Sequence, residues 1–118
     1  MTTHTLTNAR IAPHYSWGAG CDGWHLLASP GLSVIQERMP PGATETRHLH
    51  THAHQFFFVL GGVLTIELDG VSIALSVGDG VHVPAGFAHQ VLNSGTEDAS
   101  FIVVSQPPSH GDRTAASR

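Results

Sequence analysis

From residue 24 onward, short apolar segments alternate with turn-forming residues. The segments read WHLLA, LSVIQERM, TETRHLH, QFFFVL, VLTIEL, VSIALS, GVHVP, AHQVLN and SFIVVS. Asp69-Gly70 lies between two alternating runs and predicts a type I′ hairpin, in which both central residues have positive φ. No segment shows a sustained helical period. The pattern therefore predicts an all-β barrel or sandwich of about nine strands with very low helix content.

The same pattern divides the chain into three parts. Residues 1–23 are polar and irregular, which predicts an arm or loop lying on the barrel or on a partner subunit. Residues 24–106 hold the predicted strands. Residues 107–118 begin with two prolines, which end the last strand, and form a polar tail. A chain of 118 residues with 41% hydrophobic residues is enough for one domain with one core.

Composition narrows the classes of partner. The net charge is −4 and no basic stripe is present, which argues against a nucleic-acid partner. The apolar runs are too short to cross a membrane, and the first residues do not resemble a secretory signal. The single cysteine, Cys21, fits a cytoplasmic location. Only 12% of residues are charged, against roughly 25% in typical soluble domains, so we expect a homodimer that covers part of the surface.

Four histidines lie in one seven-residue stretch, His48, His50, His52 and His54. On a strand, residues i and i+2 face the same side about 6.5 to 7 Å apart, so His48 and His50 can chelate one ion. We interpret His52 as a loop residue that could move a proton at the barrel mouth.

The strand that follows offers a further ligand, either His54 or Gln55. These neighbours have opposite parity, so only one of them faces the interior. If Gln55 faces inward, Phe57 and Val59 face inward with it. Both faces of the strand are apolar, so the hydrophobic pattern leaves the choice open.

A turn at Pro84-Ala85-Gly86 precedes the last candidate ligand, His89, and directs that side chain inward. Val91 and Asn93 continue along the same face of the strand. The predicted pocket lining comprises Phe57, Val59, Val83, Phe87, Val91 and Asn93.

Two spacings carry a resemblance to a known family. The first cupin motif, G-x5-H-x-H-x3,4-E-x6-G, corresponds to Gly42, His48, His50, Gln55 and Gly62, with glutamine where the family usually has glutamate.

The second cupin motif, G-x5-P-x-G-x2-H-x3-N, is complete as Gly78, Pro84, Gly86, His89 and Asn93. The chain therefore resembles a small single-domain cupin of the cupin_2 kind. The resemblance implies a double-stranded β-helix, or jelly-roll barrel, and a homodimer.

Position by position, the resemblance implies the metal ligands His48, His50, Gln55 and His89, with His54 as the alternative to Gln55. Three imidazoles suit one divalent transition metal ion, Zn, Ni, Fe(II), Cu or Mn, better than Mg or Ca. Without the carboxylate the ion keeps its full charge and acts as a stronger Lewis acid.

Cupins include enzymes of several kinds and non-catalytic binders, and fold does not choose among them. The neutral ligand set favours a metal-dependent isomerase or lyase that acts on a small carbonyl- or carboxylate-bearing metabolite. Glu37 and His52 are the candidates for moving a proton. A metal-dependent dioxygenase and a small-molecule-binding protein with a structural metal are the alternatives.

A similar ligand set, three histidines and a glutamine, is found in cupins that open the ring of unsaturated uronates. Those cupins carry an acidic residue on the last strand, where this chain has the apolar run Phe101–Val104.

Overall fold

The computed structural model describes residues 5–117, so residues 1–4 of the predicted arm and residue 118 of the predicted tail lie outside the described residues. No helix occurs in the described part of the chain. None is therefore present there that could cross a membrane. The strands are β1 (His14–Trp17), β2 (Cys21–Ala28), β3 (Ser33–Met39), β4 (His48–Leu49), β5 (His54–Gly61), β6 (Leu64–Leu68), β7 (Val71–Leu75), β8 (Gly80–Val83), β9 (His89–Leu92), β10 (Ala99–Gln106) and β11 (Thr114–Ala115).

Two antiparallel sheets form the molecule, and the prediction of an all-β fold is confirmed. The larger sheet has the order β1-β2-β3-β10-β5-β8, and the smaller has the order β11-β4-β9-β6-β7. The predicted hairpin joins β6 to β7, and its central residues Asp69 and Gly70 have φ values of 50° and 91°. Both values are positive, as a type I′ turn requires.

Period-two burial brings the apolar side chains of both sheets into one core. Along β10 and β5 every second side chain points inward and is buried. The largest completely buried apolar side chains are Phe101, Met39, Leu64, Ile66, Val59, Val83 and Val91. Phe57 belongs to this core and also lines the cavity of the polar site described below.

The ends of the chain contribute more strands than the sequence predicted. The expected boundary at residue 24 falls inside β2, whose burial alternates from Cys21 onward, and β1 pairs along its whole length with β2. Cys21, expected in a loop, is 1% exposed. In the predicted tail, β11 pairs with β4. The prediction missed β1 because the segment HYSW lacks the apolar alternation typical of a strand, and it missed β11 because that strand forms only by pairing with the distant β4.

Candidate metal centre

Three buried histidines come together where β4 pairs with β9. His48 and His89 are direct partners in the antiparallel register, and His50 follows β4 by one residue. The three residues are 3%, 5% and 1% exposed for His48, His50 and His89 respectively. One ring nitrogen of each lies within 4.8 Å of those of the other two. The two sequence motifs thus supply one shared cluster.

Each of the three imidazoles is oriented by a backbone carbonyl. The Nδ1 atoms of His48, His50 and His89 bond the carbonyl oxygens of Thr46 (2.7 Å), Asp112 and Phe87 (3.0 Å), respectively. A carbonyl only accepts, so each Nδ1 carries the proton and each Nε2 keeps a lone pair. The Nε2 atoms of His50 and His89 are buried without a hydrogen-bond partner among the described residues. Such unpartnered nitrogens are what a metal ion would bind.

Gln55 lines the same cavity as His48 and His50. The amide Nε2 of Gln55 donates a 2.9 Å hydrogen bond to Oγ of Ser105, its register partner on β10. Its Oε1 is buried and has no partner among residues 5–117. By contrast, His54 is exposed on the outer face of β5, where its ring bonds His82 at 2.9 Å. The structure brings Gln55, and not His54, to the histidine cluster.

The donor set fits a transition metal ion. Burial lowers the pKa of His48 to about 3 and also lowers the pKa of His89. Both rings are therefore neutral near pH 7, as metal ligation requires. Three imidazole nitrogens and one amide oxygen, all uncharged, match Zn, Ni, Cu or Fe(II) better than Mg or Ca.

A cavity of about 190 Å³ opens onto the cluster. It is lined by Tyr15, Trp17, Ile35, Glu37, Glu45, His48, His50, Gln55, Phe57, Val103, Ser105, Ser109 and Arg113. His89 lies just beneath this wall, with its ring centroid 4.5 Å from that of His48 and 5.4 Å from that of His50. We call this space the inner cavity.

A tyrosine and a glutamate form one wall of the inner cavity. Tyr15 pairs with Gly23, and Gly23 pairs with Glu37, so the three residues stand in one row across β1, β2 and β3. A Cβ atom at Gly23 would overlap the ring of Tyr15. Because that atom is absent, Tyr15 lies across β2, and its hydroxyl donates a 3.0 Å hydrogen bond to Oε2 of Glu37.

Two acids in the inner cavity hold their protons unusually tightly. Burial raises the pKa of Glu37 to about 7, although the hydrogen bond from Tyr15 opposes the rise. Burial likewise raises the pKa of Glu45 to about 8, against the hydrogen bond from the backbone amide of Val91. The pKa of Tyr15 is raised, first by burial and then by Glu37. Glu37 is thus able to take up or release a proton near neutral pH.

The C-terminal segment is tied to the cluster through Asp112. The Asp112 carboxylate accepts backbone N–H bonds from Thr51, His52 and Ala53 at 2.8, 2.9 and 2.9 Å. These bonds lower its pKa to about 2. The Asp112 carbonyl also accepts a hydrogen bond from His50. We call these contacts of Asp112 the C-terminal tie, which holds the loop after β4 and orients the imidazole of His50.

That tie also places Arg113 at the inner cavity. Its Nη2 lies 4.0 Å from Oε2 of Glu45 and donates a 3.4 Å bond to the carbonyl of Thr46. The side chain of Arg113 is 50% exposed, so its guanidinium stands between the cavity and solvent. An arginine in this position can pair with an anionic group of a ligand.

Several residues predicted for the site lie elsewhere. His52 is exposed in the loop, and only its backbone amide takes part in the tie. Val59, Val83 and Val91 belong to the apolar core, because the inner cavity ends at Phe57.

Phe87 and Asn93 were also predicted to line the pocket, and neither lines the inner cavity. Phe87 is 43% exposed at the turn, and it orients His89 through its carbonyl. Asn93 is buried and donates hydrogen bonds to the carbonyls of Met39 and Glu97, which joins the end of β3 to the loop before β10. Both motif residues therefore support the site without lining the inner cavity.

Sequence reasoning missed several residues of the site and its supports, among them Tyr15, Trp17, Glu45, Asp112 and Arg113. Asp112 and Arg113 read as an ordinary polar tail. Its position three residues before His48 was the one local signal that could have identified Glu45. Tyr15 and Trp17 fell in a segment without strand patterning, and no local feature identified them.

Comparisons with known proteins agree with the motifs. Residues 35–105 match the family described as cupin domain. The chain is 30% identical over 72 residues to Polyketide synthase CurC of Streptomyces cyaneus, covering 61% of this chain and 44% of that protein. It is 36% identical over 56 residues to Quercetin 2,3-dioxygenase of Bacillus subtilis, covering 48% of this chain and 17% of that protein. The chain spans less than half the length of these relatives.

A solved structure, that of KdgF from Halomonas sp., has the same fold. Its TM-score is 0.82 at 23% sequence identity, over 90% of this chain and 96% of that chain. The fold, the two motifs and the domain match agree, and the chain belongs to the cupin family.

Proposed function

We propose that this protein is a metal-dependent enzyme that acts on a small carbonyl- or carboxylate-bearing metabolite by proton transfer, as an isomerase or a lyase. One observation carries the proposal: a single cavity is lined by His48, His50 and Gln55 and also by a carboxyl group, Glu37, whose pKa is raised to about 7. A divalent ion on the donors would supply Lewis acidity toward a substrate oxygen.

Other residues around the cavity would each have a separate role in the reaction. Glu37 would take a proton from, or give one to, the carbon beside the substrate carbonyl. Tyr15 would hold the Glu37 carboxyl in place through the 3.0 Å hydrogen bond. Arg113 would pair with a substrate carboxylate at the mouth. His52 has no part in this scheme, because its side chain is exposed in the loop and is not among the described lining residues.

Solvent deuterium exchange tests the proposal. The protein is loaded in turn with Zn, Ni, Mn, Cu and Fe(II) and incubated in D₂O with 2-oxobutyrate or dihydroxyacetone, and proton NMR follows the carbon beside the carbonyl. We expect metal-dependent exchange that Glu37→Gln slows by about 100-fold, the usual scale for losing a general base. The exposed Glu97→Gln is the matched control. Equal exchange in Glu37→Gln and the parent would contradict the proposal.

A metal-dependent dioxygenase is the second candidate. The stretch of 56 residues that is 36% identical to Quercetin 2,3-dioxygenase favours it, and Fe(II) and Cu accept the same imidazole ligands. An oxygen electrode run beside the exchange assay separates the two candidates. Oxygen uptake in proportion to substrate loss would establish the dioxygenase and exclude the proton-transfer enzyme.

A homodimer and a cytoplasmic location stay predictions of the sequence. The outer face of β5 exposes Phe56, Phe58 and Leu60, which are 42%, 38% and 44% accessible. A second copy of the chain would cover this apolar row. Light scattering at micromolar concentration tests the prediction, and a monomeric mass would contradict it.

A further inference from the structure

A second pocket adjoins the inner cavity. It measures about 380 Å³ and lies between the strands β2 and β3 and the C-terminal segment. We call it the outer pocket. Tyr15, Ile35 and Ser109 line both spaces, and they come from three separate parts of the chain. Because they share these three lining residues, the two spaces adjoin each other, and we call them together the trough.

One face of β3 runs along the whole trough. Ser33 borders the outer pocket, Ile35 borders both spaces, and Glu37 borders the inner cavity. Alternate residues of a strand lie about 6.5 to 7 Å apart, so this row extends about 13 Å. A ligand that reached from one end to the other would be longer than a three- or four-carbon acid.

The two spaces differ in chemistry. The inner cavity is lined by the donors of β4 and β5 together with Glu37, Glu45 and Arg113. The outer pocket is lined without any Asp, Glu, Lys or Arg among the described residues, and it presents two imidazoles, His25 and His110. The ring of His25 packs against that of Tyr15 at a centroid distance of 4.9 Å. Such a surface suits an uncharged, flat and largely apolar group.

We propose that the substrate is an elongated molecule in two parts. An oxygen-bearing head binds in the inner cavity, and an uncharged aromatic or cyclic body binds in the outer pocket. This inference rests on the proposed function, because the head is the part that reacts at the metal donors and Glu37. Ala28, Ser33 and His110 then determine how large a body the enzyme accepts.

Two hydroxamates test the inference on Zn²⁺-loaded protein by calorimetry. Acetohydroxamate senses only the inner cavity, and 4-phenylbutanohydroxamate adds a body that reaches the outer pocket. We expect the longer probe to bind about 10-fold or more tightly, since burying a ring is favourable. Ala28→Trp and His110→Trp fill the outer pocket from its two sides, so each should reduce the preference to less than about threefold. Neither should change the affinity for acetohydroxamate.

Leu27→Trp is the matched control, because Leu27 is 43% exposed next to Ala28 and does not line the outer pocket. Equal affinity of both probes for the parent would overturn the inference and leave the proposed function intact. A preference that survives both filling variants, or that Leu27→Trp also removes, would overturn it too. If even acetohydroxamate fails to bind, the proposed metal chemistry is overturned and the inference with it.

Discussion

The hydroxyl of Tyr15 donates a 3.0 Å hydrogen bond to Oε2 of Glu37, across the full width of strand β2. The bond exists because Gly23 stands between the two residues and has no side chain there. Glu37 is half-buried, and among the described residues the Tyr15 hydroxyl is the side-chain hydrogen-bond partner of its carboxyl group. A backbone feature, the missing Cβ of Gly23, thus determines the environment of the proposed acid–base group.

Gly23→Ala should destabilise the protein by about 1 to 3 kcal/mol, because the new methyl group overlaps the Tyr15 ring. Urea unfolding measures the change. Gly31→Ala is the control, since a Cβ at Gly31 meets nothing within 4 Å. If Gly23→Ala is as stable as Gly31→Ala, the position of the Tyr15 ring does not require the missing Cβ of Gly23.

Glu37 should make stability fall as the pH rises. Burial raises the pKa of its carboxyl from 4.5 to about 7, so between these values the folded state binds a proton that the unfolded state has released. The contribution of Glu37 to the free energy of unfolding is therefore full below pH 4.5 and is lost as the pH rises through about 7.

Comparison with Glu37→Gln isolates this effect in metal-free protein. The free energy of unfolding of the parent, relative to the variant, should decrease with rising pH by on the order of 3 kcal/mol. A difference between the two proteins that stays constant from pH 4 to 8 would contradict the buried, protonated Glu37. Glu97→Gln removes a surface carboxylate as the control.

Asp112→Ala should weaken zinc binding by about 10- to 100-fold, the usual cost of removing a group that orients a metal ligand. The substitution deletes the carboxylate that accepts three backbone amides, and it thereby loosens the carbonyl that orients His50. Competition with a chromophoric chelator measures the affinity. Asp79→Ala is the control, because Asp79 accepts the amide of Ser76 in a turn that does not line the inner cavity. Equal zinc affinity in both variants would show that the C-terminal tie does not support the site.

Gln55→Glu should tighten zinc binding by roughly 10-fold, because a carboxylate adds charge to a neutral ligand set. Gln55→Ala should weaken it by a similar factor, while the exposed His54→Ala should leave it unchanged. The same competition assay compares the three variants. If His54→Ala lost as much zinc affinity as Gln55→Ala, Gln55 would not be established as the fourth ligand.

Local patterns predicted the parts of this molecule that depend on neighbours in sequence. Alternation identified most strands, Asp69-Gly70 identified a hairpin, and fixed spacings brought His48, His50 and His89 together. The choice between Gln55 and His54 was not local, because both faces of β5 are apolar. In the structure Gln55 is buried and donates a hydrogen bond to Ser105 on β10, whereas His54 is exposed.

The remaining features depend on contacts between distant residues. Tyr15 reaches Glu37 only because β1, β2 and β3 pair in one particular register. Asp112 caps amides that lie 59 to 61 positions earlier in the chain. Nothing in the composition of a polar tail indicates such a partner, so the sequence predicted neither the tie nor Arg113 at the cavity.

The most direct test of the central claim is metal content, measured by elemental analysis of untagged protein after reconstitution and dialysis. The parent and His54→Ala should each retain one equivalent of a divalent transition metal, and His48→Ala and His89→Ala should retain almost none. Full retention of the metal in His48→Ala or His89→Ala would contradict the site.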